Sequence, residues 1–130
     1  MSKKSKGINA ERELIHLFWA NDWAACRIAG SGSMKYPSPD VIAGRKGRKL
    51  AIECKATGAS SKYISKEEID ELHRFAEMFL AEPWIGVRFS KKEWYFIRTE
   101  DLRDSGKNVV IDKNLVINKG FLFSEMIKKG

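Results

Sequence analysis

Helically spaced apolar residues near the start of the chain predict a first helix over residues 8–20. These positions recur at intervals of three and four, which places them on one helix face. They are Leu14, Leu17 and Phe18. Asn9 is a candidate N-cap, and the acidic side chain of Glu11 suits the positive end of the helix. On this pattern alone, Glu11 is an ordinary surface acid.

A second and longer apolar stripe predicts a helix that follows Ser65 and runs to Glu82. Its apolar positions are Ile69, Leu72, Phe75, Ala76, Phe79 and Leu80. Ser65 and Glu68 have the spacing of a capping box, which satisfies free amides at a helix N-terminus. Pro83 cannot continue a helix, so the helix is predicted to stop before it.

Short apolar runs between turn-forming residues predict five strands. The runs cover residues 23–28, 39–44, 50–55, 84–89 and 93–98. The last two runs flank a three-residue turn and predict a hairpin. Residues 99–107 resemble a short helical turn, residues 108–117 are ambiguous, and residues 121–128 predict a short helix. This order indicates an α/β fold, in which a central mixed sheet is flanked by helices in a single domain.

The second and third predicted strands form a hairpin that carries the candidate chemistry. With a turn of either two or four residues between them, antiparallel pairing sets Asp40 opposite Glu53. Opposed carboxylates destabilise a strand pair, so a sequence that keeps them usually has a cation to place between them. Lys55 lies two residues beyond Glu53 and points to the same face. The hairpin therefore predicts a divalent-metal site beside an ammonium group.

The charge of the chain indicates a polyanionic partner. Its 130 residues hold 24 Lys and Arg against 17 Asp and Glu, a formal net charge of +7. The first fifty residues hold ten basic and four acidic side chains, so nearly all of the excess lies in the part that also carries Asp40. Such a surface suits a nucleic-acid backbone. A merely soluble basic surface has the same signature.

Two further stretches suit contact with phosphates. Residues 1–7 form a predicted flexible basic arm, because their Lys and Ser side chains offer no apolar surface to order it, and residues 8–130 form the folded domain. A loop rich in Gly and Ser follows residue 28 and contains Ser31. Glycine lets a backbone approach a ligand closely. The sequence of this loop is not that of a P-loop, since the Gly-Lys-Ser/Thr ending is missing.

The cysteines and the hydropathy of the chain indicate where in the cell the protein is located. Cys26 and Cys54 stand in apolar, strand-like runs and are predicted to be buried free thiols. No apolar run is long enough to span a bilayer, and the basic N-terminus has no apolar stretch behind it. The sequence therefore predicts a cytoplasmic protein with no membrane partner.

The arrangement of these residues resembles a nuclease motif. Pro39-Asp40, followed after twelve residues by Glu53-Cys54-Lys55, is similar to the PD-(D/E)XK motif of metal-dependent nucleases. Residues 7–14 around Glu11 and residues 27–33 around Ser31 look like the matching stretches of archaeal Holliday-junction resolvases of the Hjc type. The resemblance covers the chain from residue 7 to about residue 96.

The resemblance implies a restriction-endonuclease-like fold with a metal site. The side chains that match the family's acidic site residues are Glu11, Asp40 and Glu53. The backbone carbonyl of Cys54 would also reach the metal, and Lys55 matches the catalytic lysine. Ser31 matches a serine that matters in part of the family. The expected cofactor is Mg²⁺, for which Mn²⁺ can substitute.

The resemblance also implies a homodimer that binds four-way DNA junctions and has no small-molecule substrate. Arg12 and Arg27 match basic residues that handle the junction. The other predicted DNA contacts are Lys3, Lys4, Lys6, Ser31, Lys35, Arg45, Lys46 and Arg48. Aromatic residues of the later strands and the C-terminal stretch are predicted to form part of the dimer interface or to complete the monomer core. They are Trp84, Phe89, Trp94, Phe96, Phe121 and Phe123.

The leading prediction is a metal-dependent endonuclease that resolves Holliday junctions by paired symmetric nicks in recombination and repair. Two alternatives stay open. A related nuclease of the same fold would cut flap or duplex DNA, and a non-catalytic module of that fold would bind DNA without cutting it. The intact set of Asp40, Glu53 and Lys55 argues against the non-catalytic module.

Overall fold

The computed structural model describes residues 3–28 and 35–128, with side chains from residue 7 onward in the first segment. Four helices are present in these segments: α1 (Lys3–Ala20), α2 (Lys66–Phe79), α3 (Lys113–Lys119) and α4 (Phe123–Met126). The strands are β1 (Ala24–Arg27), β2 (Val41–Arg45), β3 (Arg48–Thr57), β4 (Ser61–Ser65), β5 (Glu82–Phe89), β6 (Trp94–Ile97), β7 (Arg103–Asp104), β8 (Asn108–Asp112) and β9 (Phe121–Leu122). Within the described segments, no helix is long and apolar enough to cross a membrane.

A six-stranded mixed sheet forms the centre of the molecule, as predicted. Its strand order is β1-β2-β3-β5-β6-β9, in which β3 and β5 run parallel and all other neighbours run antiparallel. A smaller sheet with the order β4-β8-β7 stands beside it. The chain between β3 and β5 contains β4 and α2, which is the kind of connection that parallel strands require. The α/β class and the helix-flanked sheet are confirmed.

The first helix covers one face of the sheet. Leu14 and Phe18 are fully buried there and belong to the same core layer as Ile52 of β3. Leu17, the third residue of the predicted stripe, is 37% exposed. The predicted start of the helix was wrong: α1 begins at Lys3, and Asn9 lies inside it rather than at its cap. Lysine is a good helix former and one internal glycine costs only about 1 kcal/mol, so the helix extends through Gly7.

The second helix covers the opposite face. Its capping box is confirmed, because the Ser65 side chain accepts from the Glu68 amide and the Glu68 carboxylate accepts from the Ser65 amide. The predicted end at Glu82 was wrong. The helix stops at Phe79, where Leu80 takes a left-handed conformation (φ 59°) and its amide donates to two carbonyls of the last turn. Pro83 instead lies in β5.

The hairpin of β2 and β3 has the shorter of the two predicted turns. Lys46 and Gly47 both have positive φ (40° and 82°), as a two-residue turn matched to the strand twist requires. The resulting register pairs Val41 with Ile52, and the Asp40 amide donates to the Ile52 carbonyl over 3.1 Å. The next opposed pair is therefore Asp40 and Glu53, as predicted.

The C-terminal third is more finely divided than the apolar pattern indicated. Residues 99–107 contain a 3₁₀ helix (Thr99–Asp101) and the short strand β7. The ambiguous residues 108–117 split between β8 and α3, because the Asp112 side chain caps α3 by accepting from the Leu115 amide. The predicted helix over residues 121–128 is β9 followed by α4. The strand β4 was missed.

Most of the aromatic residues predicted for the dimer interface or the core belong to the monomer core. Trp84, Phe89, Trp94 and Phe96 are at most 4% exposed, and Phe123 is 9% exposed. Phe121 is half-buried and packs edge-on against Trp84. The prediction of buried cysteines was wrong for Cys26, which is exposed on the edge strand β1. Cys54 is partly buried, and both thiols are free.

Candidate active site

Two carboxylates meet where β2 begins. Asp40 stands one residue before β2, and Glu53 lies opposite it in β3. The Asp40 carboxylate accepts a hydrogen bond of 2.9 Å from the Cys54 amide, which fixes its orientation against β3. Strand β3 continues to Thr57, four residues beyond Glu53, whereas β2 begins only at Val41, opposite Ile52. This edge of β3 is therefore not covered by β2 past Glu53.

The two carboxylates are strongly coupled. Burial of Glu53 and the charge of Asp40 together raise its pKa to about 8, against the opposing effect of the Lys55 ammonium. Asp40 and Glu53 also hydrogen-bond to each other. Because a carboxylate has no proton to donate, a bond between two carboxyl groups requires one to be protonated. The raised pKa of Glu53 favours its protonated form in this pair.

The side chain of Lys55 places a positively charged ammonium group beside this pair. Its ammonium lies 3.7 Å from Glu53 and 2.8 Å from the carboxylate of Glu68 on α2. Burial alone would lower the pKa of Lys55, but the Glu68 hydrogen bond and the charges of Glu53, Glu68 and Asp40 outweigh it and raise the pKa. Lys55 is therefore a fixed positive charge rather than a neutral amine.

Glu11 reaches the same region from α1. It accepts a hydrogen bond of 3.1 Å from Arg27 of β1, and its side chain is only 17% exposed. Burial raises the pKa of Glu11, the charge of Asp40 raises it further, and Arg27 opposes both effects. Since α1 begins at Lys3, Glu11 lies in the third turn and not at the helix end. It is a half-buried member of the acidic group rather than a surface acid.

The donor chemistry of this group fits a hard divalent cation. Burial and the charge of Asp40 disfavour ionisation of Glu53, and a cation would relieve that repulsion. Within the described part of the chain, no three acidic, His or Cys side chains are preformed as a metal cage. Mg²⁺ needs no such cage, because it is typically bound through one or two carboxylates, several waters and substrate phosphates. Asp40 and Glu53 match that requirement.

Several predicted residues lie outside the described parts of the structure. Ser31 falls in the undescribed stretch 29–34. Lys3, Lys4 and Lys6 belong to the backbone of α1, but their side chains lie outside the described ones. Their proposed roles stay predictions from the resemblance.

The other predicted basic contacts do not form one group. Arg12 is exposed on α1, and Lys35 is exposed with its ammonium 5.7 Å from the Tyr36 ring. Arg45 and Lys46 are exposed at the turn of the hairpin, the end remote from Asp40. About five residues of strand separate this turn from the acidic pair, a distance of roughly 16 Å.

Arg48 is engaged inside the protein, so we remove it from the proposed DNA contacts. Its guanidinium makes two hydrogen bonds of 2.8 Å to Glu82 and two more to the carbonyls of Met126 and Ile127. It also lies over the Trp23 ring, 5.4 Å from the centroid. Arg48 therefore joins β3, β5 and the C-terminal helix, and its sequence neighbours gave no sign of these distant partners.

Sequence reasoning missed two features near the site. Glu68 was assigned only to the helix cap, although the same carboxylate binds Lys55. The second feature is the exposed pair Lys91 and Lys92 in the β5–β6 turn. Strands β3 and β5 are parallel, and Thr57, two residues past Lys55, pairs with Phe89 at the end of β5. The β5–β6 turn therefore begins at the same end of the sheet as Lys55. The signal available in the sequence was the double lysine itself.

Comparison with known proteins gives a consistent result. A family model described as archaeal Holliday junction resolvase (Hjc) matches residues 2–130. The crossover junction endodeoxyribonuclease Hjc of Archaeoglobus fulgidus is 38% identical over 86% of this chain and 82% of its own. Its counterpart from Methanocaldococcus jannaschii is 40% identical over 87% and 80%. The crossover junction endodeoxyribonuclease Hje of Saccharolobus islandicus is 32% identical over 92% and 89%.

A solved structure agrees with these sequence matches. The structure of Archaeoglobus fulgidus Hjc, described as a Holliday junction resolvase from an archaeal hyperthermophile, is similar with a TM-score of 0.86. The two proteins are 32% identical in this comparison, which covers 96% of this chain and 98% of the other.

Proposed function

The chain belongs to the archaeal Holliday junction resolvase family, and we propose that it is a DNA endonuclease that resolves four-way junctions by paired symmetric nicks. The observation that supports this function best is the contact between Asp40, Glu53 and Lys55. It brings two acids and a fixed positive charge together beside the part of β3 that β2 does not cover. The name of the related Hjc proteins, crossover junction endodeoxyribonuclease, describes the same reaction.

We further propose that the nuclease depends on Mg²⁺, with Mn²⁺ able to substitute. Asp40, Glu53 and the backbone carbonyl of Cys54 would hold the cation, and Glu11 lies close enough to add its charge. When bound, the cation supplies Lewis-acid polarisation of the scissile phosphate. A carboxylate must lose its proton to become a ligand, so a bound cation would favour the ionised form of Glu53.

The other side chains have roles that need no movement of the fold. The Lys55 ammonium stabilises the negative charge that develops on the phosphate in the transition state. Arg27 holds Glu11 in place and opposes the rise in the pKa of Glu11 that burial and Asp40 cause. The Cys54 amide orients Asp40. The contacts of Arg27 with Glu11 and of Cys54 with Asp40 are made within the fold itself, which holds these acids in fixed positions.

We propose that the active form is a homodimer. A four-way junction has two-fold symmetry, so a two-fold dimer presents one site to each of two opposed strands. The aromatic strands are buried in the monomer, and we place the interface at the C-terminal end of α2, where three consecutive apolar side chains are exposed. The exposed residues Met78 and Phe79 of α2 line a shallow cavity of about 330 Å³. Tyr36, which precedes β2, lines the same cavity and is also exposed. Leu80 extends this apolar surface and is 80% exposed.

A substrate comparison tests the proposed function. A four-way junction, a duplex and a flap of the same sequence are incubated with the protein in Mg²⁺ and in EDTA. We expect symmetric nicks in the junction only, and only with the metal. Equal cleavage of the duplex or flap would favour the related nuclease, and binding without any nicking would favour the non-catalytic module.

A further inference from the structure

Glu68 uses its two carboxylate oxygens for two different tasks. One oxygen accepts from the backbone amide and lies 3.4 Å from the hydroxyl of Ser65, which closes the N-terminus of α2. The other accepts a hydrogen bond of 2.8 Å from the Lys55 ammonium in β3. One side chain therefore connects the start of a helix to the cation of the site.

The distances show which acid determines where the ammonium lies. The Lys55 ammonium is within hydrogen-bond distance of Glu68 but 3.7 Å from Glu53, which is only an ion-pair distance. A lysine side chain has many rotamers in solution, and holding it in one requires a partner on a rigid element. Glu68 is such a partner, because its own rotamer is fixed by the cap.

We propose that Glu68 is a positioning residue that aims the Lys55 ammonium at the scissile phosphate, a role that rests on the proposed nuclease function. Glu68 itself contacts neither Asp40 nor Glu53 in any hydrogen bond of the described residues. Its hydrogen bond to the site is made through Lys55, and its charge adds only the last-ranked of the effects that raise the pKa of Glu53. Because Glu68 also caps α2, the position of the Lys55 ammonium depends on that helix. The ammonium reaches its position in the site only when α2 is formed.

Replacing Glu68 with glutamine separates the two tasks. Glutamine is the other residue favoured at this capping-box position, because its carbonyl oxygen accepts from the cap amide. Its second polar group is an amide nitrogen, which donates and cannot accept from an ammonium. E68Q therefore keeps the helix cap and loses the bond to Lys55.

The experiment compares E68Q with Ser65→Ala, which weakens the cap, and with Glu67→Gln, which changes a neighbouring exposed acid. Single-turnover nicking, junction affinity and melting temperature are measured for each. We expect E68Q to nick about 10–100-fold more slowly with unchanged junction affinity and near-normal melting. Ser65→Ala should melt lower but nick within about threefold of the wild-type rate, and Glu67→Gln should match wild type.

Two results would overturn the role of Glu68: wild-type nicking by E68Q, or a loss of rate in Ser65→Ala as large as in E68Q. A cycle with Lys55→Met adds a test that does not need nicking. The effects of the two substitutions on melting should be non-additive if the side chains interact, and additive effects would contradict the pairing. Absence of nicking by the wild-type protein would instead overturn the proposed function, so the two failures are distinguishable.

Discussion

Asp40 and Glu53 face each other across the β2–β3 hairpin and share a hydrogen bond, while Asp40 also accepts from the Cys54 amide. This relationship makes Glu53 the group that responds most to protonation and to cations. Asp40 is held by the backbone of the opposite strand, whereas Glu53 balances burial and the negative charge of Asp40 against the positive charge of Lys55. The first two predictions follow from this imbalance.

The substitution Glu53→Gln should abolish nicking and leave junction binding intact. Glutamine keeps the shape and can donate to Asp40, but it removes the negative charge that a divalent cation requires. We expect a fall in nicking rate of at least about 100-fold and a change in junction affinity of less than about threefold. Gel-shift and cleavage assays on one junction measure both quantities. A folded variant that no longer binds the junction would contradict the assignment.

Without metal, the stability of the protein should fall as pH rises from about 5 to about 8.5. The pKa of Glu53 is about 8 in the folded protein and near the ordinary value of 4.5 in the unfolded chain. Between these values the folded state holds more protons, so raising the pH favours unfolding. Glu53→Gln should therefore gain about 1–3 kcal/mol over wild type at the high pH and little at the low pH.

Urea unfolding in EDTA at both pH values measures this difference. Glu77→Gln, which changes an exposed acid of α2, serves as the control. An equal gain for Glu53→Gln at both pH values would show that the effect is not protonation.

Removal of the Lys91 and Lys92 charges should weaken junction binding. These exposed lysines follow β5 at the same end of the sheet as Lys55, so they lie where the flanking DNA backbone would pass. For the double alanine variant we expect the slope of log binding constant against log salt concentration to fall in magnitude by about 1–2. The loss of affinity should be about equal for junctions of different sequence. Lys107→Ala, which removes an exposed charge in the turn between β7 and β8, is the control. An unchanged salt slope would exclude the β5–β6 turn from the interface.

A charge on the exposed end of α2 should separate the proposed dimer. Met78 and Phe79 are 79% and 41% exposed, and an aspartate at either position would place an unpaired charge in the interface. We expect the Phe79→Asp protein to be monomeric in sedimentation velocity and to lose paired nicking. Ile117→Asp, at an apolar residue that is 66% exposed elsewhere, should stay dimeric. If the Phe79→Asp protein still forms a dimer, the interface lies on another surface of the protein.

Substitution of Arg48 should affect stability rather than DNA affinity. Its guanidinium satisfies the Glu82 carboxylate and two C-terminal carbonyls, so Arg48→Ala leaves these acceptors unpaired. The expected loss is about 2–4 kcal/mol in urea unfolding. The Glu82 pKa, which its hydrogen bond with Arg48 now lowers most, should also move toward the ordinary value. A large loss of junction affinity without destabilisation would return Arg48 to the DNA-binding surface.

Local rules predicted the parts of the structure that depend on local contacts. The β2–β3 hairpin is closed by a two-residue turn, and the position of that turn alone determined that Asp40 and Glu53 oppose each other. The cap of α2 was likewise readable from Ser65 and Glu68. Assignment of Glu11 to the site, by contrast, came from the family resemblance, because nothing local distinguishes it from a surface acid.

Contacts between distant residues account for what was missed. Strand β4 forms only because β8, about 45 residues later, pairs with it, and its own sequence has little strand pattern. Arg48 finds Glu82 and Met126 at separations of 34 and 78 residues. The end of α2 was misplaced because Pro83 is the more obvious signal, whereas the backbone turns earlier at Leu80.

The site collects Glu11 from the first helix, Asp40 and Glu53 from the hairpin, and Lys55 held through Glu68. Only the hairpin acids can meet before the rest of the molecule has folded. The cation is set when α2 has formed, and Glu11 arrives only when α1 packs on the sheet. A nascent or partly unfolded chain therefore lacks the complete group of side chains to which we assign DNA cleavage.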